Sequence, residues 1–338
     1  MKLVIQIPAF NEAAMLPKAI AALPRQVPGF SEVEVLVVDD GSTDSTAEIA
    51  SESRAHRVVR LPAHRGLAAA FSIGLGEAVA MGADVIVNFD ADMQYDAGDI
   101  PALIAPILAG QADLVVGDRG PGTLEHFSPG KRLLQRIGSW VVRQVSGLEV
   151  ADAASGFRAL SREAARRMNV FSKMTYTLET LIQAGSKDLR VSSVPVRAHP
   201  PERRSRLFTS VGKYVLVQGA NVLRITALYK PLKIFSAAAG IFLVAGLALG
   251  VRFLVYYFFG KNPGGHVQSL ILAGVLIVVA AQTFLIALLA DLVAINRTLL
   301  EELKLRDAGL ERAGDEDGNA TRPSSPVSSR APVRPRGR

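Results

Sequence analysis

Cysteine is absent from the 338 residues, which excludes disulfides, thiolate nucleophiles and Cys-based metal centres together. The 5 histidines are scattered without ligand spacing. The first turn after an apolar strand pattern carries "PAFNEA", where a dinucleotide fold needs a glycine-rich loop, and no Walker sequence occurs. "GLG" at 74–76 lies inside a helical pattern and reads as a packing feature rather than a phosphate loop. The N-terminus "MKLVIQIPAFNEA" has too short an apolar stretch for a signal peptide, so the first part of the chain is expected to stay in the compartment where it is made.

Charge is missing from two long runs. Ile234 to Val251 has none over 18 residues, continuing after Arg252 as Phe253 to Phe259, and Val267 to Ala290 has none over 24. At about 1.5 Å per helical residue, each crosses a hydrocarbon core of about 30 Å. Two such runs separated only by "GKNPGGH" predict a transmembrane hairpin. Arg224, Lys230 and Lys233 precede it and Arg297, Lys304 and Arg306 follow it, while the connection holds only Lys261, so both ends are expected on the cytoplasmic side of the inner membrane. Small residues in the first span, "AAAG" and "AGLALG", permit helix association and a homo-oligomer.

The net charge of +7 is partly a property of the tail. Arg322, Arg330, Arg334, Arg336 and Arg338 lie in a Pro- and Ser-rich stretch that cannot build a core. No recognised motif accompanies this charge, so nucleic acid is not an expected partner and anionic lipid is.

Up to about residue 230, apolar β-branched segments alternate with helical patterns. "LVIQIP" (3–8), "EVEVLVVDD" (32–40), "RVVRLP" (57–62), "DVIVNFD" (84–90) and "DLVVGDR" (113–119) read as strands. Strand and helix repeating in this way predict an α/β fold with a parallel sheet covered on both faces, with ligands at the carboxyl ends of the strands. Those ends are acidic. Asp90 and Asp92 alternate about Ala91 and would direct two carboxylates at one spot, where they repel unless a cation lies between them. Mg²⁺ or Mn²⁺ suits such oxygen ligands and usually shares its shell with substrate phosphates; Gln94 adds a neutral oxygen. A solvated turn with capping aspartates is the plainer alternative for D-x-D alone. Asp39 and Asp40 end the second strand, where carboxylates suit hydrogen bonds to a nucleobase or ribose.

Taken in order and spacing, "IPAFNEA", "VVDDGSTD", "HRGLAAAF", "FDADMQYD", "GDR", "SGFRALSR" and "ERRSRL" resemble the inverting family 2 glycosyltransferases of the GT-A fold, and within them the polyprenyl-phosphate sugar synthases. The resemblance covers about residues 3–230, and the hairpin is similar to that of bacterial polyprenyl-phosphate glucosyltransferases. It implies a GT-A nucleotide-diphosphosugar transferase fold with a mostly parallel sheet, followed by the two-helix hairpin. It also implies that Pro8, Ala9, Asn11, Glu12 and Asp40 line a nucleotide pocket, and that Asp90, Asp92 and Gln94 are the metal-binding D-x-D-x-Q. Arg119, with Lys131 or Arg132, would approach the donor diphosphate or the acceptor phosphate. Arg203, Arg204, Ser205 and Arg206 fall where the family has a loop closing over phosphates.

The implied reaction moves a hexose, glucose or mannose, from a UDP- or GDP-linked donor to a membrane polyprenyl phosphate. Relatives that act on hydroxyls commonly show Glu-Asp on a helix as a base; here that pair occurs only at 316–317. An ionised phosphate acceptor needs no such base. Glu179 is the one nearby candidate, and reads otherwise as a helix-surface carboxylate. "QRIGSW" (135–140) only mimics the Q-x-x-R-W of processive synthases. The alternatives are transfer to a lipid hydroxyl and a catalytically silent membrane scaffold.

The expected organisation is a cytoplasmic catalytic domain over 1–206, an amphipathic juxtamembrane segment over 207–233, spans at 234–259 and 267–293 joined by 260–266, a cytoplasmic amphipathic segment over 294–313, and a disordered basic tail over 314–338. The 204–233 stretch mixes apolar faces with lysines and arginines, which suits a membrane interface or a helix packed on the sheet.

Overall fold

The computed structural model describes residues 1–53, 55–120, 139–140, 142–170, 176–199, 219–220, 223–259 and 267–320. Among them, seven strands form one sheet in the order β3-β2-β1-β4-β6-β5-β7. The strands are β1 (Lys2–Ala9), β2 (Glu32–Asp39), β3 (Arg57–Arg60), β4 (Val85–Asn88), β5 (Leu114–Asp118), β6 (Arg158–Ser161) and β7 (Val191–Pro195).

Alternation along β1 sorts the core into two layers. Leu3, Ile5 and Ile7 face one side, where α1 (Leu16–Ala22) contributes Leu16, Ala19 and Ile20. α2 (Thr46–Glu52) joins that side through Ala50, while Val4 faces the other, where Ala68, Phe71 and Leu75 of α3 (Leu67–Ala80) pack with Leu36 and Val38. α4 (Ile100–Leu108) joins the first layer through Ile100, Leu103 and Ile104. α5 (Arg162–Arg167) and α6 (Thr177–Ser186) join the second. α5 starts where its sequence says it should: the Ser161 hydroxyl accepts from Ala164 N at 3.1 Å, with Glu163 in the first turn and two arginines in the last.

The sheet departs from an all-parallel one at a single strand. β6 runs antiparallel between β4 and β5, while the remaining pairs are parallel. β6 and β7 are both additions to the five expected strands. The inserted strand reverses the usual arrangement, because its beginning, rather than its end, lies at the rim where β1, β2, β4 and β5 finish.

Two long helices follow, α7 (Pro231–Phe259) and α8 (Val267–Ala320); the connection 260–266 lies outside the described residues. Residues Pro231–Phe259 and Val267–Arg297 are long and apolar enough to cross a membrane. A core helix of a soluble protein would be covered, but these are not: Ile241, Phe258 and Val293 are 69%, 70% and 68% exposed. Apolar surface on that scale costs about 25 cal/mol per Å² in water, so it calls for an apolar medium. The helices touch through small residues. Ala239 and Gly246 of α7 and Ala273, Ala280 and Ala287 of α8 are buried, and a Cβ on Gly246 would lie 3.2 Å from the Ala273 carbonyl. The small residues of the first span are thus partly spent within the hairpin. Near the start of α7, Lys230 Nζ donates to the Val145 carbonyl at 2.9 Å and Lys233 Nζ to that of Gln144 at 3.2 Å.

Candidate active site

The turns after β1 and β2 are locked together. Asn11 takes up a left-handed backbone, φ 54°, which asparagine tolerates better than most residues. Its amide donates to Ser42 Oγ at 2.9 Å, while its side-chain oxygen accepts from Thr43 N at 2.9 Å. Glu12 N donates to Thr46 Oγ1 at 2.9 Å, and the carboxylate of Asp44 accepts from Ala13 N at 3.3 Å. Pro8 and Ala9 sit in register with Val38 and Asp39, so the "PAFNE" and "DDGSTD" segments share one wall.

Asp39 and Asp40 are both buried, and each is committed to the fold. Asp39 Oδ1 accepts from Ser42 N at 3.1 Å, and Arg60 Nε lies 3.5 Å from Oδ2. Asp40 accepts from Arg65 N and Gly66 N, both at 2.8 Å, and His64 Nδ1 lies 2.9 Å from its Oδ2. It therefore anchors the loop leading into α3. Gly41 permits this approach: at φ +69° it would place any Cβ 2.5 Å from the Ala63 carbonyl carbon. The Phe10 and His64 rings stack beside Asp40 with centroids 3.9 Å apart.

The loop after β4 is built differently. Asp92 accepts from Gln94 N at 3.2 Å and from the Gln94 side-chain amide at 2.5 Å. Between them Met93 adopts φ 57°, a conformation unusual for a long unbranched side chain and a sign of local strain. Asp90 receives only a long bond, 3.4 Å, from Asn88 Nδ2. It keeps some contact with solvent, but protein crowds the rest of it, and burial together with the charge of Asp92 pushes its pKa up to about 7. Arg119 opposes that rise.

The segment entering β6 forms the floor. Gly156 lies so close to Asp90 that a Cβ would come within 2.5 Å of Oδ2 and 2.9 Å of the Tyr176 hydroxyl. Beneath, Gln6 Nε2 donates to Asn88 Oδ1 at 2.9 Å; Asn88 Nδ2 in turn donates to Tyr176 Oη at 2.8 Å and to the Gly156 carbonyl at 3.0 Å. Arg158 is fully buried and trusses the segment, donating to the carbonyls of Ser155 at 2.8 Å and Ala153 at 3.0 Å and to the Thr180 hydroxyl. Burial lowers its pKa to about 10, which still leaves it charged at neutral pH. Asp152 accepts from Arg119 Nε at 2.6 Å and Nη2 at 2.9 Å, and the guanidinium lies over the Tyr95 ring, 5.9 Å from its centroid.

Of the expected site residues, the structure gathers Pro8, Ala9, Asn11, Glu12, Asp39, Asp40, Asp90, Asp92, Gln94 and Arg119 on the rim formed by the ends of β1, β2, β4 and β5. Lys131, Arg132, Arg203, Arg204, Ser205 and Arg206 lie outside the described residues. One expectation is corrected. Glu179 is not a surface carboxylate: it is fully buried on α6 beside Gln183, whose Nε2 lies 3.4 Å from Oε1. Sequence reasoning missed Asp152, Tyr95 and Gly156. "SGFR" held the signal for the last, since a glycine before a strand often marks a close approach; nothing near Asp152 announced a partner 33 residues away.

The donor set fits a hard divalent ion. Asp90, Asp92 and Gln94 can each offer an oxygen, and burial, followed by the charge of Asp92, raises the pKa of Asp90, a rise that a cation beside the carboxylates would oppose. Among the described residues, no group of three or more His, Cys, Asp or Glu side chains could hold a metal. Such a pair needs ligands from outside the protein to complete a shell, as a nucleotide diphosphate would supply.

Residues 4–168 match the model of "Glycosyl transferase family 2". The chain is 30% identical over 274 residues to the low-salt glycan biosynthesis hexosyltransferase Agl6 of Haloferax volcanii, spanning 77% of this chain and 60% of that one. It is also 30% identical over 176 residues to the undecaprenyl-phosphate mannosyltransferase of Micrococcus luteus, spanning 50% of this chain and 70% of that protein. The fold matches that of glucosyl-3-phosphoglycerate synthase from Mycobacterium tuberculosis, solved with Mn²⁺, UDP and glucosyl-3-phosphoglycerate, with a TM-score of 0.52 at 22% identity over 67% of this chain and 78% of that one.

Proposed function

Because this chain belongs to glycosyl transferase family 2 and has its GT-A fold, we propose that it transfers a hexose, glucose or mannose, from a UDP- or GDP-linked donor to a membrane polyprenyl phosphate, inverting the anomeric centre. The observation that carries this reading is the charge arrangement at the rim: two crowded carboxylates and an amide beside one fixed guanidinium, in a chain that continues into two uncovered apolar helices.

The wall formed by Pro8, Ala9, Asn11, Glu12 and the Asp40-anchored loop receives the nucleotide. Asp90, Asp92 and Gln94 hold Mg²⁺ or Mn²⁺, which when bound supplies positive charge against the diphosphate leaving group. Arg119 presents its guanidinium to a phosphate, and Lys131 or Arg132 with Arg203, Arg204, Ser205 and Arg206 add cationic and hydroxyl groups by family resemblance. Positioning and charge stabilisation supply most of the rate in such a site.

Neither Glu179 nor Asp152 stands ready as a general base: Glu179 is buried, and Asp152 is paired to Arg119. An acceptor that is already an anion suits that arrangement, whereas a hydroxyl would have to lose its proton. We assign the reaction to the cytoplasmic membrane with the catalytic domain on the cytoplasmic side, a reading that the two long apolar helices and the basic residues flanking them support.

A panel of nucleotide sugars incubated with polyprenyl phosphate, with and without EDTA, tests the reading. The expected product is a sugar that becomes extractable into organic solvent, is released by mild acid, and fails to form in EDTA. A product stable to mild acid would move the acceptor to a lipid hydroxyl, and no transfer from any donor would overturn the proposal.

A further inference from the structure

One buried ion pair at the rim has no explanation in fold stability. Asp152 is fully buried, and both of its oxygens bind Arg119. Pairs of this kind roughly break even, at best, against apolar residues of similar volume. The geometry offers another reason. A guanidinium is a rigid planar fork with five N–H groups. Asp152 grips it along the Nε edge, which fixes the direction in which the opposite edge points.

Two further restraints act on the same fork. The Tyr95 ring lies against it, and Tyr95 is itself held by Gly156 N, which donates to its hydroxyl at 3.0 Å. The segment bearing Asp152 is trussed by Arg158 through the carbonyls of Ala153 and Ser155. Asp152, Tyr95 and Gly156 thus tie Arg119 to the floor on which Asp90 rests, so the cation and the carboxylate pair share one frame.

We infer that Asp152 is a positioning residue for the transfer reaction, holding Arg119 by one edge so that its other edge meets a substrate phosphate beside Asp90 and Asp92. The inference rests on the glycosyl transfer reading above and deepens it. Asp152 takes no proton in this role; it sets the angle of a phosphate-binding group. A substitution that keeps the shape and removes the charge, Asp152→Asn, loosens the fork while leaving the nucleotide wall intact.

The test uses the full chain in lipid nanodiscs and two readouts. One is the kinetics of sugar transfer; the other is calorimetric binding of a short isoprenyl monophosphate in the presence of Mn²⁺ and UDP. Asp152→Asn is expected to lower kcat/KM for the acceptor about 100-fold and weaken isoprenyl phosphate binding about tenfold, with the donor KM changed less than about threefold. Arg119→Lys, which keeps the charge but loses the fork, should match it. In an Arg119→Ala background, Asp152→Asn should cost less than about threefold more, because the two act as one unit.

Asp152→Asn within threefold of wild type, or losses that multiply in full in the double variant, would overturn the inference. So would disappearance of the acidic limb of the pH–rate profile in Asp152→Asn, which would make Asp152 a proton acceptor. A protein that transfers no sugar yet binds isoprenyl phosphate in an Asp152-dependent way would refute the proposed reaction and support the positioning role.

Discussion

Acidic residues stand at the ends of β2 and β4 in the same sheet, and two of them, Asp40 and Asp90, have opposite fates. Asp40, just after β2, is supplied with donors by the fold, Arg65 N and Gly66 N, with His64 Nδ1 at 2.9 Å; Asp39, the last residue of β2, accepts from Ser42 N at Oδ1, while its buried Oδ2 has no hydrogen bond among the described residues and Arg60 3.5 Å away. After β4, Asp92 accepts from Gln94 N and from the Gln94 side-chain amide, whereas Asp90 is less well supplied. Asp90 has a 3.4 Å bond from Asn88 and a like charge beside it, and its pKa climbs to about 7. Asp40 and Asp90 differ in the N–H groups aimed at them: a carboxylate given two close backbone donors clasps a loop, and one crowded by burial and a like charge suits a cation.

Three changes probe this contrast. The largest effect is expected for Asp92→Ala, which should abolish transfer, by about a thousandfold or more, even in saturating Mn²⁺, while circular dichroism remains that of the native fold. Near-normal turnover would remove the metal role from this pair. Asp40→Asn should act in the other direction, on structure: loss of charge-assisted bonds to Arg65 N and Gly66 N should cost about 1–3 kcal/mol in thermal or denaturant unfolding, whether or not EDTA is present. A cost that appeared only in the presence of metal would erase the distinction between Asp40 and Asp90.

The smallest effect concerns Asp90 in metal-free protein. Its folded pKa of about 7 lies above the ordinary carboxylate range, so the unfolded chain ionises first. Below about pH 4 both states are protonated and the group costs nothing. The penalty grows as pH rises towards 7 and is constant above it. Asp90→Asn should therefore raise the melting temperature in EDTA by a few degrees at pH 8, with the gain shrinking to nothing near pH 4. A variant less stable than wild type at pH 8 would show that Asp90 is a structural residue like Asp40.

Legibility followed the physical strength of each signal. β1, β2, β4 and β5 are predominantly apolar, largely β-branched runs that lead into polar turns, and that pattern has few other solutions. The two long helices announced themselves by lacking charge over a membrane's thickness. β6 did not, because "RALS" opens with an arginine and closes on a helix cap, and only the burial of Arg158 under α6 explains it as a strand. β7, "VSSVP", is half-exposed and carries two serines, so its apolar content is low. Glu179 was misread because "TLETLIQAG" looks amphipathic, whereas both sides of this part of α6 are covered. At the rim, motifs exposed the residues that face a ligand. Those that hold them, Asp152, Tyr95 and Gly156, depend on contacts between distant segments that no local spacing encodes.

The reversed direction of β6 has an architectural consequence. Parallel strands deliver only their exits to the reaction rim, so every loop there is the start of a crossover and is bound to the helix that follows. An antiparallel strand delivers its entrance instead. The residues before Arg158 therefore reach the rim without belonging to any βα crossover on the nucleotide side, and what fixes them there is their own set of contacts, Gly156 against Asp90 and Asp152 on Arg119, rather than a helix that follows them.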